Sequence, residues 1–146
     1  MRILLAPDSF KEAASAEAIA QAMARGIKRG DPQAECRLLP LSDGGEGLTH
    51  ALVHATGGTL HDVETVDAVG RPIIAQFGFL GNKHTSRTAV VELASASGLE
   101  QVSPADRDPM AASTFGTGLL IRAAIDAGAD RIVLGLGAVS YTHLTL

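Results

Sequence analysis

One cysteine, one tyrosine, four phenylalanines and no tryptophan stand among 146 residues. A lone Cys36 can form no disulfide within the chain. It lies in an expected strand with Leu38 and Leu41, where a buried, inert thiol is the expectation. Aromatics make up only 3% and no long basic run occurs, so neither a base-stacking platform nor a phosphate-tracking groove is present and nucleic acid is not an expected partner. Long apolar runs are missing too. The opening Met1-Arg2-Ile3-Leu4-Leu5-Ala6 is cut by Pro7-Asp8, too soon for a signal peptide or a membrane span, so no membrane partner is expected and the cytoplasm is the default location. Neither GxxxxGK[ST] nor a GxGxxG after a strand occurs, which removes the Walker and dinucleotide fingerprints. What remains is 46% hydrophobic, rich in glycine (16 residues) and only mildly acidic at a net charge of -4. That composition suits a globular domain, or a piece of a larger protein, and leaves the oligomeric state open.

Residues 2–6 read as a short buried strand closed by Pro7-Asp8. From Ser15 a helix is signalled by a capping serine, Glu17 in the first turn, and an apolar face of Ile19, Ala22, Met23, Gly26 and Ile27. Arg25, Lys28 and Arg29 load its last turn, and Gly30-Asp31-Pro32 stops it. Residues 35–41 resume as a strand, so the first forty residues predict strand, helix, strand with a parallel crossover. Residues 46–55 predict a second helix ended by Gly57-Gly58. His50 and His54, four apart, lack the intervening Glu of a zinc-protease motif and have no cysteine partner; with His61 they read as ordinary histidines.

The pattern changes at Thr59. Residues 61–66, 73–80 and 87–93 are β-rich runs separated by turn compositions, including Gly81-Asn82-Lys83-His84, and predict an antiparallel meander. Glu92-Leu93-Ala94-Ser95-Ala96-Ser97-Gly98 follows as a small-residue turn or short helix. Ser103-Pro104-Ala105-Asp106 signals a helix start. A second glycine loop, residues 113–118, feeds a helix with Leu119, Leu120, Ala123, Ala124 and Ala127 on one stripe, and residues 131–136 form a last apolar strand.

The chemistry leans on Leu39-Pro40-Leu41-Ser42-Asp43-Gly44-Gly45-Glu46-Gly47. Glycines there permit positive φ and close approach of main-chain N–H groups to an anion. Asp43 stands at the expected C-terminal edge of a strand, where open α/β sheets bind ligands, and can hold Mg²⁺ or accept a proton. The same letters also make an ordinary turn. Glu46 either complements the dipole of the following helix or acts as a functional carboxylate. The hydroxyls and N–H groups of residues 113–118, at a helix start, offer a second anion site, or simply capping and packing.

Four stretches then act together: Ala6-Pro7-Asp8-Ser9-Phe10-Lys11, the glycine turn, Ala94-Ser95-Ala96-Ser97-Gly98-Leu99, and Thr114-Phe115-Gly116-Thr117-Gly118 with the helix after it. In this order and spacing they resemble the type I glycerate kinase family, from Met1 to about Gly137. The resemblance implies ATP-dependent, Mg²⁺-dependent phosphorylation of D-glycerate, with 2-phosphoglycerate favoured over 3-phosphoglycerate. It also implies a Rossmann or flavodoxin-like parallel sheet joined to part of a second α/β lobe containing antiparallel strands. Residues 1–58 would belong to the first and 59–137 to the second. Asp43 and Asp8 are then the candidate catalytic carboxylates, Asp43 also the metal ligand. Ser9, Lys11, Ser42 and Glu46 are candidates for glycerate, and Gly44, Gly45, Thr114, Gly116 and Thr117 for nucleotide phosphates. The family continues past the last strand into Gly-Ser-Ala-Thr-Asn-Asp-Gly-Gly and is well over twice as long. Residues 138–146 depart from it, so a non-native tail on an N-terminal fragment of reduced or absent activity is expected.

Two other function classes use the same letters. A non-catalytic α/β module could bind an organic acid or nucleotide through these loops. A flavin-binding or reductase domain shares the strand-helix-strand start, but would carry a hydroxyl-rich phosphate loop where this chain has Pro7-Asp8-Ser9-Phe10-Lys11.

Overall fold

The computed structural model describes residues 1–10, 13–81 and 86–137. Lys11, most of the 81–84 turn and the 138–146 tail lie outside the described residues. The chain is mixed α/β and divides into two compact units, Met1–Asp43 and a second that begins at Gly44.

The first unit is one strand-helix-strand crossover. Strand β1 (Arg2–Leu5) pairs in parallel with β2 (Glu35–Leu38), Leu5 opposite Leu38. Helix α1 (Ala16–Gly30) begins where the sequence signals it, with the Ser15 hydroxyl accepting from the Ala18 N–H at 3.2 Å. Asp31 closes its end by donating its N–H to Ile27 O. Of the expected apolar face of α1, Ile19 and Ile27 are half-buried and Ala22, Met23 and Gly26 exposed, while the helix residue that is buried is Ala20; Leu4, Leu38 and Leu41 are exposed as well. The β1–β2 ladder runs on past Leu38 in the same register, the Leu39 N–H donating to Leu5 O and the Leu41 N–H to Pro7 O. Cys36 is half-buried, more open than the sequence suggests.

The second unit is a four-stranded sheet in the order β3-β4-β5-β6. β3 (Thr59–Val66), β4 (Pro72–Phe79) and β5 (Thr88–Glu92) form the expected antiparallel meander; β6 (Arg131–Gly135) returns parallel to β5. Strand alternation sorts β4 into two faces. Ala75, Phe77 and Phe79 join Ala89, Val91, Ala96, Leu120 and Ala124 in one apolar cluster under α3 (Ala94–Ser97) and α4 (Phe115–Asp126). On the other face Gly78 leaves room for Val53 and Thr49 of α2 (Leu48–Thr56); a Cβ there would stand 2.2 Å from Val53 Cγ2. The unit is therefore a sheet between helices, with each buried Val, Leu or Phe worth about 1.5–3 kcal/mol.

Two helix expectations change. The segment after Ser103 makes only a single 3₁₀ turn, Pro104–Asp106, since Pro109 disfavours helical backbone at Asp108; the Ser103 hydroxyl donates to the Asp106 carboxylate and caps no helix N–H. Helix α2 starts at Leu48, so Glu46 stands before it rather than in its first turn. No described helix is long and apolar enough to cross a membrane.

Candidate functional site

In the first unit the loop after β1 meets the segment after β2. The Asp8 carboxylate accepts the Ser9 N–H at 2.7 Å on Oδ1 and the Asp43 N–H at 3.2 Å on Oδ2. The two candidate carboxyl residues are thus brought together across 35 positions, Asp8 holding the backbone from which the Asp43 side chain departs. Ser9 and Ser42 are half-buried beside them in sequence, Asp43 is exposed, and Lys11 lies outside the described residues.

In the second unit the glycine turn is bound on two sides. Gly44 has φ +101° and Gly47 φ +85°, backbone that L side chains rarely adopt. The end of β6 packs against the turn: the Gly137 N–H donates to Gly44 O at 2.9 Å. A Cβ on Gly135 would stand 2.6 Å from Gly44 O, and one on Gly137 2.6 Å from the Gly45 main chain. On the other side lies Glu92, the last residue of β5 and only 6% exposed. Gly47 is the N-cap of α2 and has no side chain to offer. Glu92 takes over that task from a distant strand, accepting the Gly47 N–H at 3.3 Å and the Thr49 N–H at 2.8 Å.

Glu92 was not singled out by sequence. Its signal was a single charge closing the otherwise uncharged strand Thr88-Ala89-Val90-Val91. Ser95 is a second such residue: its hydroxyl accepts the Gln76 N–H at 3.1 Å and donates to Gln76 O at 3.2 Å, continuing the β4–β5 ladder after the strand itself has ended.

Glu46, exposed in the turn, is held protonated to a higher pH than an ordinary glutamate. Loss of solvent is the main cause, followed by the hydrogen bond with the Glu100 carboxyl group and the negative charges of Glu100 and Glu92. An acidic neighbourhood of this kind suits hydroxyl groups better than a carboxylate.

The second glycine loop is engaged inside the unit. Gly116 is buried with its Cβ position 1.9 Å from Val66 O, and its carbonyl accepts the Thr65 hydroxyl at 2.9 Å. The Thr117 hydroxyl meets Ser97 Oγ at 2.9 Å. Thr114 is exposed at the helix start and makes no side-chain cap. These contacts fasten α4 to β3 and α3.

No three His, Cys, Asp or Glu side chains cluster as a metal cage among the described residues. A magnesium ion on a nucleotide asks less, one or two protein carboxylates, because phosphates and water complete its octahedron. Asp43, exposed and held at its main-chain N–H by Asp8, has the chemistry for that demand.

The glycerate kinase family model matches residues 3–143. The chain is 47% identical over 137 residues to a glycerate kinase of Bacillus subtilis (strain 168), covering 94% of this chain and 35% of that protein. It is 39% identical over 137 residues to a glycerate 2-kinase of Escherichia coli (strain K12), with the same coverage. A crystal structure assigned as glycerate kinase 2 from Salmonella typhimurium LT2 superposes with a TM-score of 0.70 at 45% identity, over 95% of this chain and 36% of that one. The chain spans about a third of the length of these relatives.

Proposed function

Because this chain belongs to the glycerate kinase family, we propose that it supplies one part of an ATP-dependent, Mg²⁺-dependent kinase that phosphorylates D-glycerate in the cytoplasm, 2-phosphoglycerate being the favoured product. The observation that carries the reading is the Asp8–Asp43 contact, which holds two acidic residues together within the strand-helix-strand unit. The relative named as a glycerate 2-kinase supports the choice of product.

Phosphoryl transfer needs in-line placement and charge neutralisation more than covalent help from protein. Asp8 spends its carboxylate on main-chain N–H groups; this supports Asp8 as the residue that orients and Asp43 as the one that binds the metal or accepts the glycerate hydroxyl proton. When bound, Mg²⁺ would draw charge from the transferring phosphoryl oxygens. Gly44 and Gly45, with Thr114, Gly116 and Thr117 of the second loop, are the proposed phosphate contacts. Ser9, Lys11 and Ser42 are assigned to glycerate, and Glu46 to its hydroxyl groups.

The test is a chimera in which residues 1–137 replace the aligned segment of the Bacillus subtilis relative. Glycerate-dependent ADP release, with phosphorus NMR identifying the product, is expected. A folded chimera that binds ATP and glycerate without releasing ADP would instead favour a non-catalytic binding module.

A further inference from the structure

We propose, on the kinase reading of the glycine turn, that Glu92 is a positioning residue for phosphoryl transfer: its carboxylate holds the turn in the shape in which Gly44 and Gly45 meet phosphate. A segment with glycine at 44, 45 and 47 loses more backbone freedom on ordering than others of its length, so its shape must be imposed from outside. Two strand ends of the second unit impose it. At Gly44 the anchor is β6, with the Gly137 N–H donating to Gly44 O at 2.9 Å. At Gly47 the anchor is Glu92, one oxygen accepting the Gly47 N–H at 3.3 Å and the other the Thr49 N–H at 2.8 Å. Gly45 and Glu46 lie between these anchors. The anchors are themselves joined, because Leu93, next to Glu92, donates its N–H to Gly135 O at 2.9 Å. The ends of β5 and β6 thus make one frame, and the turn is fastened to both.

Capping α2 does not by itself call for a charge here. Glu92 is 6% exposed, and among the described residues no lysine or arginine forms an ion pair with it, an expensive place for a carboxylate. What the charge supplies is stiffness and direction. Hydrogen bonds to an ionised acceptor are shorter and roughly twice as strong as neutral ones, and two oxygens on two amides fix orientation as well as distance. The same charge occupies the positive end of α2, so that helix start is closed to phosphate and an anion is directed to the Gly44–Gly45 end of the turn. Phosphoryl transfer depends on donors fixed before charge develops on the transferring oxygens. Displacing such a group by about 1 Å costs about a hundredfold in rate. Glu92 therefore acts through the turn, without touching substrate.

The test uses the chimera in which residues 1–137 stand in the Bacillus subtilis relative, assayed well below its melting temperature with circular dichroism confirming that each variant is folded. Glu92→Gln keeps the shape of the side chain and removes its charge. Its kcat is expected to fall about tenfold or more, with the KM for glycerate moved less than about threefold, since Ser9, Lys11 and Ser42 are untouched. Glu92→Asp keeps the charge but draws it back by one methylene; it is expected to lower kcat as well, and carries the comparison if the glutamine variant does not fold. Val53→Ala is the control for lost stability: it loosens α2 where Val53 packs against Gly78, should lower the melting temperature, and should leave kcat unchanged. Folded Glu92 variants with unaltered kcat overturn the proposal. So does an equal fall in kcat for Val53→Ala, a rise in the glycerate KM with kcat unchanged, or failure of both Glu92 variants to fold, which would leave the residue a structural role only. A chimera that keeps Glu92, binds ATP and glycerate and releases no ADP overturns the kinase reading itself, and this role with it.

Discussion

The Glu92 carboxylate accepts the main-chain N–H of Thr49 at 2.8 Å across 43 residues of chain. A β-strand thereby caps a helix that begins with a glycine, and the cap fixes the last residue of the glycine turn. Removing it should be felt in stability first. Glu92→Gln leaves one oxygen to accept and turns an N–H donor toward another N–H; a loss of about 1–3 kcal/mol is expected in urea unfolding. An unchanged midpoint would mean that water replaces the cap.

Glu46 gives the turn a pH dependence of known sign. Its folded-state pKa is raised, so above the ordinary glutamate range the folded chain binds more protons than the unfolded one, and this group lowers stability as pH rises through its folded value. Replacing its main partner, Glu100→Gln, is expected to raise the melting temperature at pH 7 and to have little effect near pH 4, where the Glu46 carboxyl group is protonated. Equal effects at both pH values would contradict the assignment.

Gly116 is a point of close approach between β3 and α4. A Cβ placed 1.9 Å from Val66 O cannot be absorbed by a side-chain rotation, because the obstacle is main chain. Gly116→Ala should cost about 3 kcal/mol or prevent folding. Gly118, with nothing near its Cβ position, is the control: Gly118→Ala lies within α4 and should be neutral or stabilising by up to about 1 kcal/mol. Circular dichroism melts of the two variants decide the matter.

Thr49→Val replaces an enclosed, unpaired hydroxyl with a methyl group of nearly the same size. In the absence of any ligand the change should stabilise the chain, by about 1 kcal/mol, or leave it unaltered. A loss above that figure would show that Thr49 Oγ1 makes a bond in solution.

In the chimeric kinase, Asp43→Asn is expected to reduce turnover about a hundredfold or more with the melting temperature preserved, and Lys11→Ala to raise chiefly the KM for glycerate. Near-normal turnover in the first variant would return the role to Asp8.

Much of the local structure was fixed by order along the chain. Ser15 caps α1, Asp31 and Pro32 end it, Gly57 takes a left-handed conformation to close α2, and the three β-rich runs pair as a meander; each depends on chemistry spread over a few neighbouring residues. The same is true of the glycine turn, whose positive φ at Gly44 and Gly47 follows from residue type. Tertiary structure decided the rest. Glu92 reads in sequence as the last residue of a strand and becomes a helix cap only because β5 ends beside α2. Gly135 and Gly137 look like strand punctuation and prove to be the surface on which the turn lies. Ser103 carries every letter of a helix start and yields one 3₁₀ turn, since Pro109 disfavours helical backbone at Asp108. Hydrogen bonds and close packing between residues forty or more positions apart leave no periodicity to read, and these are the contacts that give the turn its shape.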